Sequence, residues 1–218
     1  MNVKIYVEGG GDSKDLRTRC RKGFRNLIMK SGFRGRMPSI HAYGGRDTTF
    51  SVFKTALENC DADTYPILLV DSEEPVNGHG IDPHSDIAWS HLESRDHWAR
   101  PEGSSNDQAQ LMVTSMETWI MADQDTLKTY FGSKLRINAL TPVNRQLEAR
   151  TRSEILQALK DATSDCGKNK GYLKGKHSFE ILGDLNPEAL KANLLHFNRL
   201  LETLNHHLDG TNDNETVR

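Results

Sequence analysis

Glu8 stands beside three glycines, Gly9, Gly10 and Gly11, and a run dense in arginine follows: VEGGGDSKDLRTRCRKGFR, Val7 to Arg25. A carboxylate at the tip of a strand suits a hard divalent cation. The glycines let the backbone bend tightly and approach a ligand closely, and the arginines suit phosphate. Farther on, LLVDSEEP places Asp71 and Glu73 two positions apart at the end of an apolar run. Magnesium takes one or two carboxylates directly and keeps waters, so room is left for phosphate oxygens. Such ions work singly or as a pair about 4 Å apart. The residue types point to metal-assisted phosphate chemistry; acids that merely solubilise loop ends are the plainer reading.

Other candidates group around these acids. Glu117 in METWIMAD opens a helix, where it would be a further ligand, a base, or a helix-start acid favoured by the macrodipole; Asp123 lies six positions on. Lys174, Lys176, His177 and Glu180 fall in the basic, glycine-rich stretch GKNKGYLKGKHSFEIL. A lysine there would stabilise charge developing on a phosphate, and Lys170, Lys174 and Lys176 together would grip one. His177 is a proton donor or a structural histidine. Arg46, after YGG, is a phosphate contact or a neighbour to a turn capped by Asp47. His79, His84, His91 and His97 match no standard zinc spacing and read as structural.

The elements that must position these groups alternate. A strand over 4–8 is followed by a helix whose apolar face is Leu16, Cys20, Phe24, Leu27 and Ile28. Lys14, Arg17, Arg21, Lys22 and Arg25 occupy its other side. Between Lys14 and Arg36 nine Lys/Arg residues meet one acid, Asp15, in a chain of net charge −2. That concentration is a patch, which is how nucleic-acid binders focus their field. PSIHAY, a helix through Phe50 and Phe53, and YPILLVD complete a β-α-β-α-β order, which implies parallel strands. Ligands of such sheets sit at the carboxyl ends of the strands, so Glu8, Asp71 and Glu73 should share one edge. A fourth strand is expected near 110–115, a helix from Ser153, as its cap, to Thr163, and a last helix from Pro187 to Leu208.

The 36% hydrophobic and 27% charged composition is that of a globular chain. No apolar run approaches the roughly 20 residues of a membrane span, and no membrane partner is expected. Three scattered cysteines, Cys20, Cys60 and Cys166, fit a reducing cytoplasm.

The acidic glycine-rich loop after strand one and the acid-x-acid motif after strand three are similar to the Toprim fold of topoisomerases, primases and OLD-type nucleases. VEGGGDSKDLRTRCRKGFR, HAYGGRD, LLVDSEEP, DQAQLMVTSMETWIMAD and KGKHSFEIL together resemble the Toprim-like bacterial family of unknown function 4276. Glu73 stands where the Toprim motif has its second aspartate. The resemblance implies a Toprim-like, mostly parallel α/β core over 1–135 with an irregular insertion at about 77–106. A helical extension over 136–208 and a disordered tail over 209–218 would follow. It further implies phosphodiester cleavage with Mg²⁺ or Mn²⁺, held by Glu8, Asp71 and Glu73, in an anti-phage setting beside an ABC-type ATPase.

The expected function is therefore a metal-dependent nuclease, with Glu117 and Lys176 in support. Arg17, Arg21, Arg25, Arg46, Lys174, Lys176 and His177 would hold the backbone of DNA or RNA, and the chain would work alone or as a homo-oligomer. A Toprim-derived module that binds an ATPase or nucleic acid without cleaving is the alternative. A small-molecule phosphoryl enzyme ranks lower, since neither GxxxxGK nor GxGxxG is present.

Overall fold

The structure is a computed structural model that describes residues 1–76, 85–143, 146–167 and 171–209, without the side chain of Lys176. His79, His84, Lys170, part of the expected insertion and the tail beyond Asp209 lie outside the described residues. Statements below concern the described residues.

Four strands form one parallel sheet: β1 (Asn2–Val7), β2 (Ser39–Ala42), β3 (Thr64–Asp71) and β4 (Ala109–Met112), in the order β2-β1-β3-β4. The central strand β3 reads as a continuous apolar run because both of its faces are covered. Val3, Ile5 and Val7 of β1 and Ile67 and Leu69 of β3 enter one hydrophobic cluster. Tyr6, Leu68 and Val70 alternate into another. Helices α1 (Lys14–Ile28) and α2 (Arg46–Glu58) connect the first three strands, and α3 (Ile87–Asp96) precedes β4. Phe50, Phe53, Trp89, Leu92 and Trp98 fill the second cluster, so α2 and α3 cover that face.

The larger cluster lies on the other face. It gathers α1 with α4 (Met116–Ala122), α5 (Gln124–Phe131), α6 (Arg152–Thr163), α7 (Lys176–Asp184), α8 (Pro187–Asn193) and α9 (Leu195–Asp209). Arg199, fully buried, ties α9 to the sheet by donating to the carbonyls of Ala109 at 2.6 Å and Asn106 at 2.9 Å. No helix is long and apolar enough to cross a membrane, and Cys20, Cys60 and Cys166 are free thiols.

Three boundaries differ from expectation. The fourth strand ends at Met112, and the backbone turns into α4 from Ser115. The cap of α6 is Thr151, not Ser153: its hydroxyl accepts from the Glu154 N–H at 3.3 Å, and Glu154 returns the bond to the Thr151 N–H at 2.8 Å. This reciprocal box satisfies two donors that a helix start leaves open. The single helix expected over Pro187–Leu208 breaks at Leu194, which is extended. Glu148 explains the break, because its carboxylate accepts the N–H groups of Leu195 and His196, each at 3.1 Å, and so starts a second helix.

The loop after β1 is held against the loop after β2. The Gly9 N–H donates to the Gly44 carbonyl at 3.0 Å. Gly44 adopts φ +87°, and a Cβ there would lie 2.2 Å from the Gly11 carbonyl oxygen. Gly11 is also left-handed, at φ +49°, but a Cβ there meets open space. Thermal unfolding should separate the two causes: Gly11→Ala should cost about 1–2 kcal/mol, and Gly44→Ala distinctly more, because backbone must also move.

Candidate functional site

The strand order reverses between β1 and β3, and crevices at such switch points are where open α/β sheets bind ligands. Glu8 follows β1 and Asp71 ends β3, so the topology sets the two carboxylates side by side. Glu73 is brought back to them by a turn in which its own φ is +64°. The Glu73 N–H donates to the Thr114 carbonyl at 2.8 Å, and the Ser72 N–H to the Met112 carbonyl at 3.0 Å. The result is that side-chain oxygens of Glu8, Asp71 and Glu73 lie within 4.8 Å of one another. A cleft of about 260 Å³ opens beside them, lined by Glu8, Asp71, Glu117 and Lys174 between the glycine loops.

Asp71 is almost wholly buried and accepts the Met116 N–H at 2.9 Å. Burial first, then the negative charges of Glu8 and Glu117, raise its pKa to about 7; Lys174 and the Met116 N–H pull the other way. Glu117 has no exposed surface. One of its oxygens accepts from the Tyr172 hydroxyl at 3.1 Å and the Ser178 hydroxyl at 3.4 Å. The other has no hydrogen-bond partner and faces the Lys174 ammonium at 3.6 Å. Burial and the adjacent Glu117 raise the Tyr172 hydroxyl well above its ordinary pKa, so it remains a donor.

Positive charge surrounds the acids. Arg46, at the start of α2, donates to Glu8 at 3.2 Å, to the Asp71 carbonyl, and through two nitrogens to Asp96, at 3.0 and 2.5 Å. Its guanidinium also lies 4.8 Å from the centre of the Trp98 ring. Arg46, a candidate phosphate contact by sequence, is engaged here by protein acceptors and bridges the Glu8 and Asp71 loops. Arg152, the first residue of α6, pairs with Glu73.

The other expected residues divide. Leu16 lines the cleft, and the Arg17 backbone abuts the glycine loop, since a Cβ on Gly10 would lie 2.6 Å from the Arg17 Cα. From there Arg17, Arg21 and Arg25 run along α1 and form no ion pair, whereas Arg19 is bound to Asp15 at 2.8 Å and Glu180 at 3.0 Å. His177 packs edge-on against Tyr130 and Phe131 and does not line the cleft. Asp123 is structural, accepting from the N–H groups of Thr126 at 3.1 Å and Asn186 at 2.7 Å. His91 lies 2.9 Å from the Ser72 carbonyl and steadies the acidic loop. The side chain of Lys176 lies outside the described residues.

The sequence pattern did not single out Arg152, Tyr172, Ser178 or Asp96. Only Tyr172 and Ser178 carried a signal, by lying within four residues of Lys174. As a donor set, the cluster fits a divalent cation that prefers oxygen: clustered carboxylates, with the orphaned, fully buried Glu117 oxygen facing the same cleft.

A family model described as a domain of unknown function (DUF4276) matches residues 7–205. No curated protein and no solved structure matches the chain.

Two stability measurements follow from this geometry. Arg46→Ala should destabilise the fold by about 3–5 kcal/mol, because Glu8 and Asp96 lose the charge that their burial requires. For Asp71 the folded pKa is raised, so its contribution is fully present below about pH 4 and is lost as pH rises through about 7. Asp71→Asn should therefore raise the melting temperature of the metal-free protein by a few degrees at pH 8. At pH 4.5 it should change little.

Proposed function

The chain belongs to this family of unknown function, and from the geometry of its site we propose that it is a divalent-metal-dependent phosphodiesterase acting on DNA or RNA. One observation carries the proposal: Glu8, Asp71 and Glu73 converge to within 4.8 Å at the carboxyl ends of adjacent parallel strands, beside an open cleft. Mg²⁺ or Mn²⁺ held there supplies Lewis acidity to a phosphoryl oxygen and lowers the pKa of water. The chain's own groups do the rest. Glu117 turns an oxygen without a hydrogen-bond donor toward the cleft and takes the proton of the attacking water. Lys174, half exposed, meets the charge that develops on the phosphate as the P–O bond to the leaving oxygen breaks.

Nucleic acid is favoured over a small phosphate ester by α1, whose first turns adjoin the cleft and whose Arg17, Arg21 and Arg25 are not neutralised by other elements. Such contacts position a sugar–phosphate backbone without reading its sequence. The acid after strand one and the pair after strand three, on a parallel sheet, support kinship with Toprim nucleases. By that kinship the protein is an effector of bacterial anti-phage defence, working beside an ATPase in the cytoplasm.

A second reading has an observation in its favour. Glu8, Glu73 and Glu117 each already face a cation of the chain, Arg46, Arg152 and Lys174. A module that binds an ATPase or nucleic acid without cleaving it would be neutralised internally in this way.

Incubating mixed DNA and RNA substrates with Mg²⁺ or Mn²⁺ separates the readings. The nuclease should cleave, and Glu8→Gln or Asp71→Asn should lower the rate by more than about 100-fold, beyond what loss of an outer-shell partner costs. A binding module should show no cleavage in any form. Its association should survive both substitutions but fail in the double variant Arg21→Glu, Arg25→Glu, with a steep salt dependence for nucleic acid.

A further inference from the structure

The cations around the acidic cluster are not equivalent. Arg46 is 14% exposed at its side chain and is held from several sides, by Glu8, by both oxygens of Asp96, by the Asp71 carbonyl and by the Trp98 ring. Arg152 is 32% exposed and has one partner among the described residues, Glu73. It heads α6, on a segment that also carries Arg150 and is separate in sequence from the α1 patch. Glu73 is one of the acids whose oxygens cluster. A guanidinium on that carboxylate therefore sits at the edge of the position a cation would take. Arginine is also the side chain best matched to phosphate, which it grips through two parallel N–H bonds.

We propose that Arg152 exchanges partners during the working cycle: it neutralises Glu73 in the metal-free protein and passes to a phosphate of the nucleic acid when Glu73 turns to a divalent cation. The proposal rests on the reading of the acidic cluster as a metal centre. It names a phosphate-binding residue at the acidic cluster, on an element other than α1. It also makes metal and nucleic acid bind cooperatively, because each removes a competitor of the other. Such coupling is reciprocal. Without Arg152 the part of it that runs through Glu73 should be lost.

The alternative physical role has the opposite sign. If Arg152 only oriented Glu73, as outer partners of metal ligands do, its loss would weaken metal binding by about 10–100-fold. Calorimetric titration of the intact chain with Mn²⁺ distinguishes these, with and without a short single-stranded phosphorothioate DNA that resists hydrolysis, at one pH and low salt. In the wild type the DNA should tighten Mn²⁺ binding by about 5-fold or more. Arg152→Ala and Arg152→Gln, both checked for an unchanged melting profile, should bind Mn²⁺ alone several-fold more tightly than wild type. DNA should then tighten their Mn²⁺ binding distinctly less than it tightens that of the wild type, the remainder coming from the contact between metal and phosphate. Equal or weaker Mn²⁺ binding by folded variants would overturn the exchange while leaving the metal centre standing. Absence of Mn²⁺ binding in the wild type would overturn the metal centre and the exchange together.

Discussion

The site is governed by the cost of collecting carboxylates where water is scarce. Asp71 and Glu117 are buried, and Glu8 and Glu73 lie beside them. Desolvation penalises each charge, and their mutual repulsion adds to that penalty. The surroundings read as the response. Arg46 joins Glu8 to the Asp71 loop and is itself balanced by Asp96, while Arg152 and Lys174 face the remaining glutamates. Among the described residues the Asp71 carboxylate accepts a backbone N–H but pairs with no arginine, and burial first, then Glu8 and Glu117, raise its pKa.

Two kinds of support result. On the side of α2 and α3 the support is fixed: a bidentate Arg46–Asp96 pair packed on Trp98, which in turn stacks on Phe50 with ring centres 4.2 Å apart. On the other side the acids meet Arg152 and Lys174, a third to a half exposed. A rigid wall and a movable one suit a cleft that must hold its own acids in place and still admit an anion. Removing either partner of the buried Arg46 network costs far more than rearranging a partly exposed pair.

Much of this was legible in the sequence, for physical reasons. Alternating apolar runs and helical periodicity specify the β-α-β-α-β order, and that order brings Glu8 and Asp71 to one edge whatever the side chains do. Glu73 could be placed near them because it lies two residues from Asp71. Arg46 was visible as a residue near the site, but its role was not, since the acceptor Asp96 lies 50 residues away and only the folded chain brings it close. Arg152 was invisible for the same reason, 79 residues from Glu73. Helix limits failed where a side chain from elsewhere intervened: nothing local to Leu194 shows that Glu148 will cap a new helix there.

The groups of the cleft are scattered along the chain, from Glu8 through Asp71, Glu117 and Arg152 to Lys174. A ribosome delivers them in that order. A nascent chain thus carries Glu8 and Asp71 for more than 100 residues without the tyrosine, serine and lysine that later surround Glu117. Until α7 has been made, the early acids lack the Lys174 to Phe179 wall of the cleft. The dispersal therefore makes the cleft a late assembly, complete in its groups only once the α7 segment has been made.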